Sequence, residues 1–162
     1  MTTEQLETSL NRVHEWIRAA DQKASIFLAL VLGGLALGGN EFLGYLSTIF
    51  NDKPVWLATV LMLSTVILVW SITEALFIIK PSVANNAKSF TYFGHISQIS
   101  LSEYRTIVTE VSNIKYKDEL IEQIHTSSKI ARKKHEQLAE AVKLFCLYVL
   151  VMAAIIGLSY VT

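Results

Sequence analysis

Apolar residues in this chain are concentrated in three long runs that are separated by polar segments. The purest run, PVWLATVLMLSTVILVWSITEALFII at 54–79, contains one ionisable side chain, Glu74. A helix rises about 1.5 Å per residue and the hydrocarbon core of a bilayer is about 30 Å thick, so this run can cross it with some tilt. A helix that is apolar on every face has no polar face to present to water. The run therefore predicts a transmembrane helix.

The other two runs are each preceded by a polar, helix-forming segment with no break between them. Leu6, Leu10, Val13, Ile17 and Ala20 recur in steps of four and three, which places them on one face of a helix that leads into the first run, at 24–50. A second long helix is predicted to begin near Lys115 or Tyr116, because no proline or glycine follows before Gly157. It leads into the third run, 144–161, which carries no charge.

These patterns predict an all-α membrane protein with three transmembrane helices that continue into a small cytoplasmic helical bundle. The segments are a cytoplasmic N-terminal helix at 1–23, transmembrane helices at 24–50, 54–80 and 144–162, and a cytoplasmic helical segment at 81–143. Within the last segment, a shorter helix is predicted at 102–111 with a cap in 101–103. Asn51–Pro54 and Lys80–Pro81 mark the two ends of the second transmembrane helix.

Basic residues predict the orientation of these helices in the membrane. The loop between the first two runs contains only Lys53, and no basic residue follows the third run. The other basic residues lie before the first run or between the second and third, at positions 12, 18, 23, 80, 88, 105, 115, 117, 129, 132, 133, 134 and 143. The positive-inside rule then places the N-terminus in the cytoplasm and the C-terminus outside.

Composition supports a membrane protein and excludes several function classes. The 162 residues are 52% hydrophobic and 17% charged with a formal net charge of zero, which argues against a nucleic-acid polymer as a partner. The single cysteine, Cys146, excludes an internal disulfide and is expected to face the core or lipid. The sequence contains no phosphate-binding glycine loop, paired cysteines, zinc-binding helix motif or nucleophile elbow. We therefore expect no enzymatic activity, cofactor or metal.

Two features inside the apolar runs are candidates for membrane packing or a pore. Gly34 and Gly38 form a small-xxx-small step that lets another helix approach closely, either from the same chain or from a second protomer. Glu74 is a carboxylate within an apolar helix, which is costly and often functional. It also lies close enough to Lys80 to pair with it or to reach water, and both interpretations stay open.

The second long helix carries a mixed stripe and a basic cluster. The stripe is predicted to consist of positions 114, 117, 121, 124, 128, 131, 135, 138 and 142, and it turns polar at Ser128 and His135. Such a polar gap serves as a register device, a water site or part of a ligand pocket. The basic cluster, Lys129 with residues 132–134, suits anionic lipid headgroups or a phosphorylated ligand.

Arg18, Asp21 and Lys23 form a second charged group, immediately before the first apolar run. Arg18 and Asp21 are three residues apart on a helix, so they are expected either to pair with each other or to take part in a site. Lys23 is long enough to extend its ammonium group to the membrane interface.

Four stretches of the chain carry a family resemblance. They are RVHEWIRAADQKASIFLAL at 12–30, KPSVANNAKSFTYFGHIS at 80–97, SEYRTIVTEV at 102–111 and IEQIHTSSKIARKKHEQL at 121–138. Over nearly the whole chain, and in the same order, they resemble the transmembrane effector family of the Pycsar anti-phage systems. Its motif positions in this sequence are Trp16, Asp21, Lys23, Tyr92, Phe93, Gly94, Ser128 and Lys133.

The resemblance implies an inner-membrane effector that responds to a cyclic mononucleotide, cyclic UMP or cyclic CMP, made by a partner cyclase. The effector would rearrange or assemble as a homo-oligomer, impair the bilayer and cause abortive infection. A cyclic nucleotide offers one phosphate charge and one aromatic base. Arg18, Lys23, Lys88 and Arg132 are candidates for the phosphate, and Tyr92 and Phe93 for the base. The alternatives are a small ion channel and a membrane adaptor protein, both unrelated to defence.

Overall fold

The described part of the chain is almost entirely helical. The computed structural model describes residues 1–52, 54–80, 91 and 93–159. Of these residues 92% are helical, and none lies in a strand. The helices are α1 (Thr3–Asp52), α2 (Val55–Ile79), α3 (Phe93–Ile96), α4 (Leu101–Glu110) and α5 (Asn113–Ser159). Three of them, α1, α2 and α5, are long and apolar enough to cross a membrane, which confirms the predicted all-α membrane protein.

Proline and serine define the ends of the shorter helices. Pro54 precedes α2 with φ −59° and ψ 142°, and its missing N–H costs nothing at a helix start. At the other end of α2, the Lys80 N–H donates to the Leu76 carbonyl at 3.3 Å. The α4 helix begins one residue earlier than predicted, because the Ser100 hydroxyl accepts from the Glu103 N–H at 3.2 Å.

The chain divides into two compact units. The polar unit comprises Met1–Arg18 and Pro81–Arg132, and the apolar unit comprises Ala19–Lys80 and Lys133–Thr162. Because α1 and α5 extend beyond residues 18 and 132, each contributes residues to both units.

The core of the polar unit is formed by α1 and the start of α5. Leu6 and Leu10 pack with Leu120, and Tyr116 and Ile124 lie against them. Val13 is also buried and Ile17 is half-buried. In the apolar unit Ala20 is fully buried, so the whole predicted stripe on α1 is turned away from solvent.

The predicted stripe on α5 is partly wrong. Ile114 and Ile121 are 75% and 53% exposed, and Val142 is exposed as well. The buried positions of α5 include Leu120, Ala131, Lys134, Ala141 and Ile155. Hydropathy gives most weight to large isoleucines, whereas helices approach most closely where side chains are small. The face that packs inward therefore contains alanines, and a lysine, that a hydropathy pattern undervalues.

The apolar unit packs α1, α2 and α5 together in three clusters of buried residues. Large side chains build one cluster, which contains Ile49, Leu57, Ala58, Leu61 and Ile155. Alanines dominate the other two clusters, which contain Ala20, Ala24 and Ile78, and Leu28, Ala75 and Ala141. Small side chains permit close backbone approach where there is no hydrophobic force between helices in lipid.

Hydroxyl groups connect the helices of the apolar unit. The Ser71 hydroxyl on α2 donates to the Ala141 carbonyl of α5 at 2.7 Å. The Tyr45 hydroxyl on α1 donates to the Ser159 hydroxyl at 2.8 Å. Within a bilayer such bonds satisfy polar groups that have no water to bind, so they favour one arrangement of the three helices.

Replacement of Ala141 by leucine tests the alanine packing. Ala141 has no exposed surface and packs with Leu28 and Ala75, so the larger side chain must force the helices apart. Ala141→Leu is expected to lower the free energy of unfolding in detergent by about 1–3 kcal/mol. Ala139→Leu is the matched control, because Ala139 is exposed on the same helix. Equal unfolding midpoints for the two variants would contradict the packing described here.

Candidate functional site

The start of α5 makes a polar contact with α1 in the polar unit. The Tyr116 hydroxyl donates to Glu7 Oε1 at 2.8 Å. This hydrogen bond raises the pKa of Tyr116, and burial and the negative charges of Glu7 and Glu119 raise it further. The pKa rises because each of these effects disfavours the charged phenolate form. The contact therefore joins α1 to α5 beside the leucine core of this unit.

A second polar contact ties residue 91 to α5. The Thr91 N–H and hydroxyl donate to Glu119 Oε1 at 3.1 and 2.5 Å. The Gln123 amide donates to Glu119 Oε1 at 3.1 Å and also to the Thr91 hydroxyl. Thr91 immediately precedes the predicted ligand positions Tyr92 and Phe93. These bonds hold Thr91 against α5 just before α3 begins, where the sequence predicts a base-stacking segment.

His95 on α3 has a buried ring nitrogen that lacks a partner. Its Nδ1 has no hydrogen-bond partner in the part of the chain that the structure describes, although the residue as a whole is only half-buried. A buried polar atom without a partner costs free energy unless water or a ligand satisfies it. Nothing in the spacing of His95 in the sequence distinguishes it from the other three histidines.

Five of the predicted ligand residues belong to the polar unit and are described. Trp16 is 58% exposed on α1, and Arg18 and Arg132 are exposed on α1 and α5. Ser128 is half-buried on α5, and Phe93 is the first residue of α3. Lys88 and Tyr92 lie outside the described residues. This unit therefore carries an exposed indole, two exposed guanidinium groups and a half-buried hydroxyl, which are groups that can bind an anion and a flat ring.

The other predicted ligand residues, Asp21, Lys23 and Lys133, belong to the apolar unit. Lys23 and Lys133 are exposed. Asp21 pairs with Lys134, with its Oδ1 2.5 Å from the ammonium nitrogen, and no pair with Arg18 is present among the described residues. The Lys134 side chain is 6% exposed and that of Asp21 is 36% exposed. The sequence pattern predicted that Lys134 belongs to a basic cluster, but its side chain is buried and does not lie with the exposed members of that cluster.

The burial of Lys134 has a signal in the sequence that hydropathy alone does not use. Lys134 follows Ala131 by three residues and precedes Leu138 by four, so all three lie on one face of α5. A lysine among alanines and leucine on an inward face needs an acidic partner on a neighbouring helix. Asp21 supplies it.

For Glu74 and for the glycines, the structure lacks one of the contacts that the sequence suggested, within the described residues. Glu74 is half-buried and accepts from the Trp70 indole nitrogen at 3.2 Å, and within the described ranges it has no ion pair with Lys80. A Cβ atom added at Gly34 or Gly38 would meet nothing within 4 Å. Within the described residues these two glycines therefore make no close contact with another helix, and contact with a second protomer stays a prediction.

One of three comparisons with known proteins, a comparison with protein-family models, found a match. The PycTM family model, whose description is Pycsar effector protein domain, matches residues 5–161. No curated protein and no solved structure matches the chain. The matched range includes all five helices except the first two residues of α1.

The contact between Tyr116 and Glu7 predicts how Tyr116 titrates. In the folded protein the pKa of Tyr116 is raised above the unfolded value of about 10. The contact therefore stabilises the fold below that pH, and its contribution is lost as the pH rises through the folded-state pKa. Glu7→Gln should bring the folded-state pKa back towards its ordinary value. The measurement is the NMR titration of the tyrosine ring carbons, with Tyr116→Phe to assign the signal. An unchanged titration in Glu7→Gln would contradict the contact.

Proposed function

Because the chain belongs to the Pycsar effector family, we propose that it is an inner-membrane effector in which a cyclic mononucleotide triggers loss of membrane integrity. Family membership implies a transmembrane effector in cyclic-nucleotide anti-phage defence, and three helices are suited to cross the bilayer. Our proposal adds that cyclic UMP or cyclic CMP from a partner cyclase binds the polar unit. The transmembrane helices then rearrange or assemble with other copies, and the infected cell stops supporting the phage.

The observation that carries the proposal is the family match over residues 5–161, which includes every candidate residue. Enzymatic chemistry is not part of the proposal, since the candidates are groups that bind and not groups that form a reactive constellation. The polar unit is the proposed receptor, and the apolar unit is the proposed effector.

The chemistry of the polar unit supports nucleotide binding. A cyclic mononucleotide carries one phosphodiester charge, for which a guanidinium offers a charge-assisted and frequently bidentate partner. Arg18 and Arg132 are the described guanidinium candidates, and both are exposed. Base stacking needs an open aromatic face, which Trp16 has at 58% exposure. Lys88, Tyr92 and Phe93 keep their proposed roles from the family motif.

Shared helices supply a route from binding to the membrane. Both α1 and α5 contribute residues to the polar unit and to the apolar unit. A ligand that binds one packing of these helices better than another shifts the equilibrium by that difference in affinity. Repacking of the polar unit is therefore proposed to change the packing of the same helices within the bilayer.

Gly34, Gly38 and Glu74 are proposed to act at the membrane lesion. The space around both glycines is open, which suits close approach by a helix of a second copy. Glu74 has the Trp70 indole as its hydrogen-bond donor and is half-buried, so its carboxylate is a candidate for lining or gating a polar path.

Calorimetric titration of the detergent-purified protein tests the receptor role. The ligands are cyclic UMP, cyclic CMP, cyclic AMP and cyclic di-AMP, and saturable binding of one pyrimidine nucleotide is expected. Arg18→Ala and Arg132→Ala should each weaken that binding about tenfold or more, because each removes a charge-assisted bond to phosphate. Arg105→Ala is the matched control, since Arg105 is exposed on α4 in the same unit. No binding of any nucleotide would overturn direct sensing and would favour a channel or an adaptor.

Membrane depolarisation in cells that express a pyrimidine cyclase tests the role of Glu74. Glu74→Ala is expected to reduce depolarisation by about tenfold at equal amounts of membrane-inserted protein, because it removes a carboxylate from the apolar helix. Thr73→Ala is the control, since Thr73 is exposed beside Glu74 and its hydroxyl donates to the Val69 carbonyl of its own helix. Wild-type depolarisation by Glu74→Ala would rule out the gating role.

A further inference from the structure

Lys134 is a buried cation in the apolar unit. The residue is 5% exposed, and its ammonium donates to a single carboxylate oxygen, Asp21 Oδ1, in the part of the chain that the structure describes. An ammonium has three donors, so one partner leaves it poorly compensated. Asp21 is half-buried, and its side chain keeps about a third of its surface open. The pair is thus closed to solvent at the lysine and accessible at the aspartate.

The two members of the ion pair are close in sequence to residues of one buried apolar cluster. Ala20 precedes Asp21 on α1, and Leu138 follows Lys134 by about one turn on α5. Ala20, Ala24 and Ile78 form a fully buried cluster against which Leu138 packs. Alanines provide close approach but few contacts that fix how far one helix slides along another. The ion pair adds a directional contact between α1 and α5 at this level.

A buried ion pair contributes more to specificity than to net stability. The cost of removing both charges from water offsets much of their attraction, so apolar replacements of such pairs are often neutral or stabilising. An arrangement that separates the two groups leaves an ammonium buried without its counterion, which is strongly unfavourable. The pair therefore disfavours every packing in which α1 shifts or rotates relative to α5.

We propose that the Asp21–Lys134 pair is a lock that holds the apolar unit in its resting packing, and that opening this pair releases the packing that damages the membrane. The lock rests on the proposed function, which supplies the nucleotide signal that opens it. The role of the ion pair in helix packing would be the same if another signal opened it. The resting state is silent because only that packing satisfies both charges.

The test measures membrane depolarisation and dye entry in bacteria that express the protein without any cyclase. Lys134→Met removes the buried charge and keeps a long apolar side chain, and Asp21→Asn keeps the size of its side chain. Each single variant and the double variant are expected to increase dye entry about tenfold over the wild-type protein, because the penalty on other packings is gone. The charge exchange, Asp21→Lys with Lys134→Asp, should return dye entry to the wild-type level.

An exposed ion pair on α5 provides the matched control. Lys143 and Glu140 lie 3.5 Å apart with side chains 75% and 58% exposed. Lys143→Met and Glu140→Gln make the same changes in charge without a buried partner, so both variants should stay as silent as the wild type.

Two results would overturn the lock. One is wild-type dye entry with the Lys134→Met protein, provided that it inserts at the wild-type level and melts within a few degrees of the wild type in detergent. The other is increased dye entry with the charge-exchange protein when it inserts equally well. If Asp21→Asn fails to insert, Lys134→Met and the double variant decide the question, since neither leaves a buried ammonium unpaired.

The same experiment separates the lock from the proposed trigger. A wild-type protein that never responds to a pyrimidine cyclase, together with leaky Lys134→Met, would overturn the nucleotide trigger and support the lock. A wild-type protein that responds normally, together with silent lock variants, would support the trigger and overturn the lock.

Discussion

The absence of water in the hydrocarbon core of a bilayer is the constraint on which this structure depends. Backbone groups there must find partners within the protein, and a helix satisfies them all within one segment. The three apolar helices are therefore unbroken over 24–50, 55–79 and 144–159, which are the helical residues that the structure describes in the three apolar runs. The same constraint explains the inward hydroxyl groups, since Ser71 and Tyr45 each donate to a group on a neighbouring helix.

Polar groups take different roles in the two units because their surroundings differ. In the apolar unit the buried Ser71 hydroxyl and the buried Lys134 ammonium each bond to a group on a neighbouring helix, whereas the half-buried Glu74 is a candidate for function. In the polar unit water can satisfy an exposed guanidinium or indole, so these groups remain available to a ligand. Arg18 and Trp16 fit that description. This difference is the reason that the polar unit is proposed as the receptor and the apolar unit as the effector.

Most of the candidate site could be predicted only as a set of residue types. The family motif pointed to Trp16, Asp21 and Ser128, but it carries no information about which groups meet. The structure assigns Trp16 and Ser128 to the polar unit and pairs Asp21 with Lys134 in the apolar unit. Pairing between helices depends on their rotation and register, and local spacing within one helix does not encode either of them. For this reason Arg18, three residues from Asp21, was the wrong partner.

The sequence by itself determined the three apolar runs and the long helices that contain them, because hydropathy and the positions of proline and glycine act locally; it did not predict α3. It also determined the buried face of α1, where large apolar residues recur regularly. Only the tertiary structure decided the face of α5, the open glycine surface and the partner of Lys134. Each of these depends on close contact between helices far apart in the chain. Such contact favours alanine and a compensated charge over the largest hydrophobic side chain.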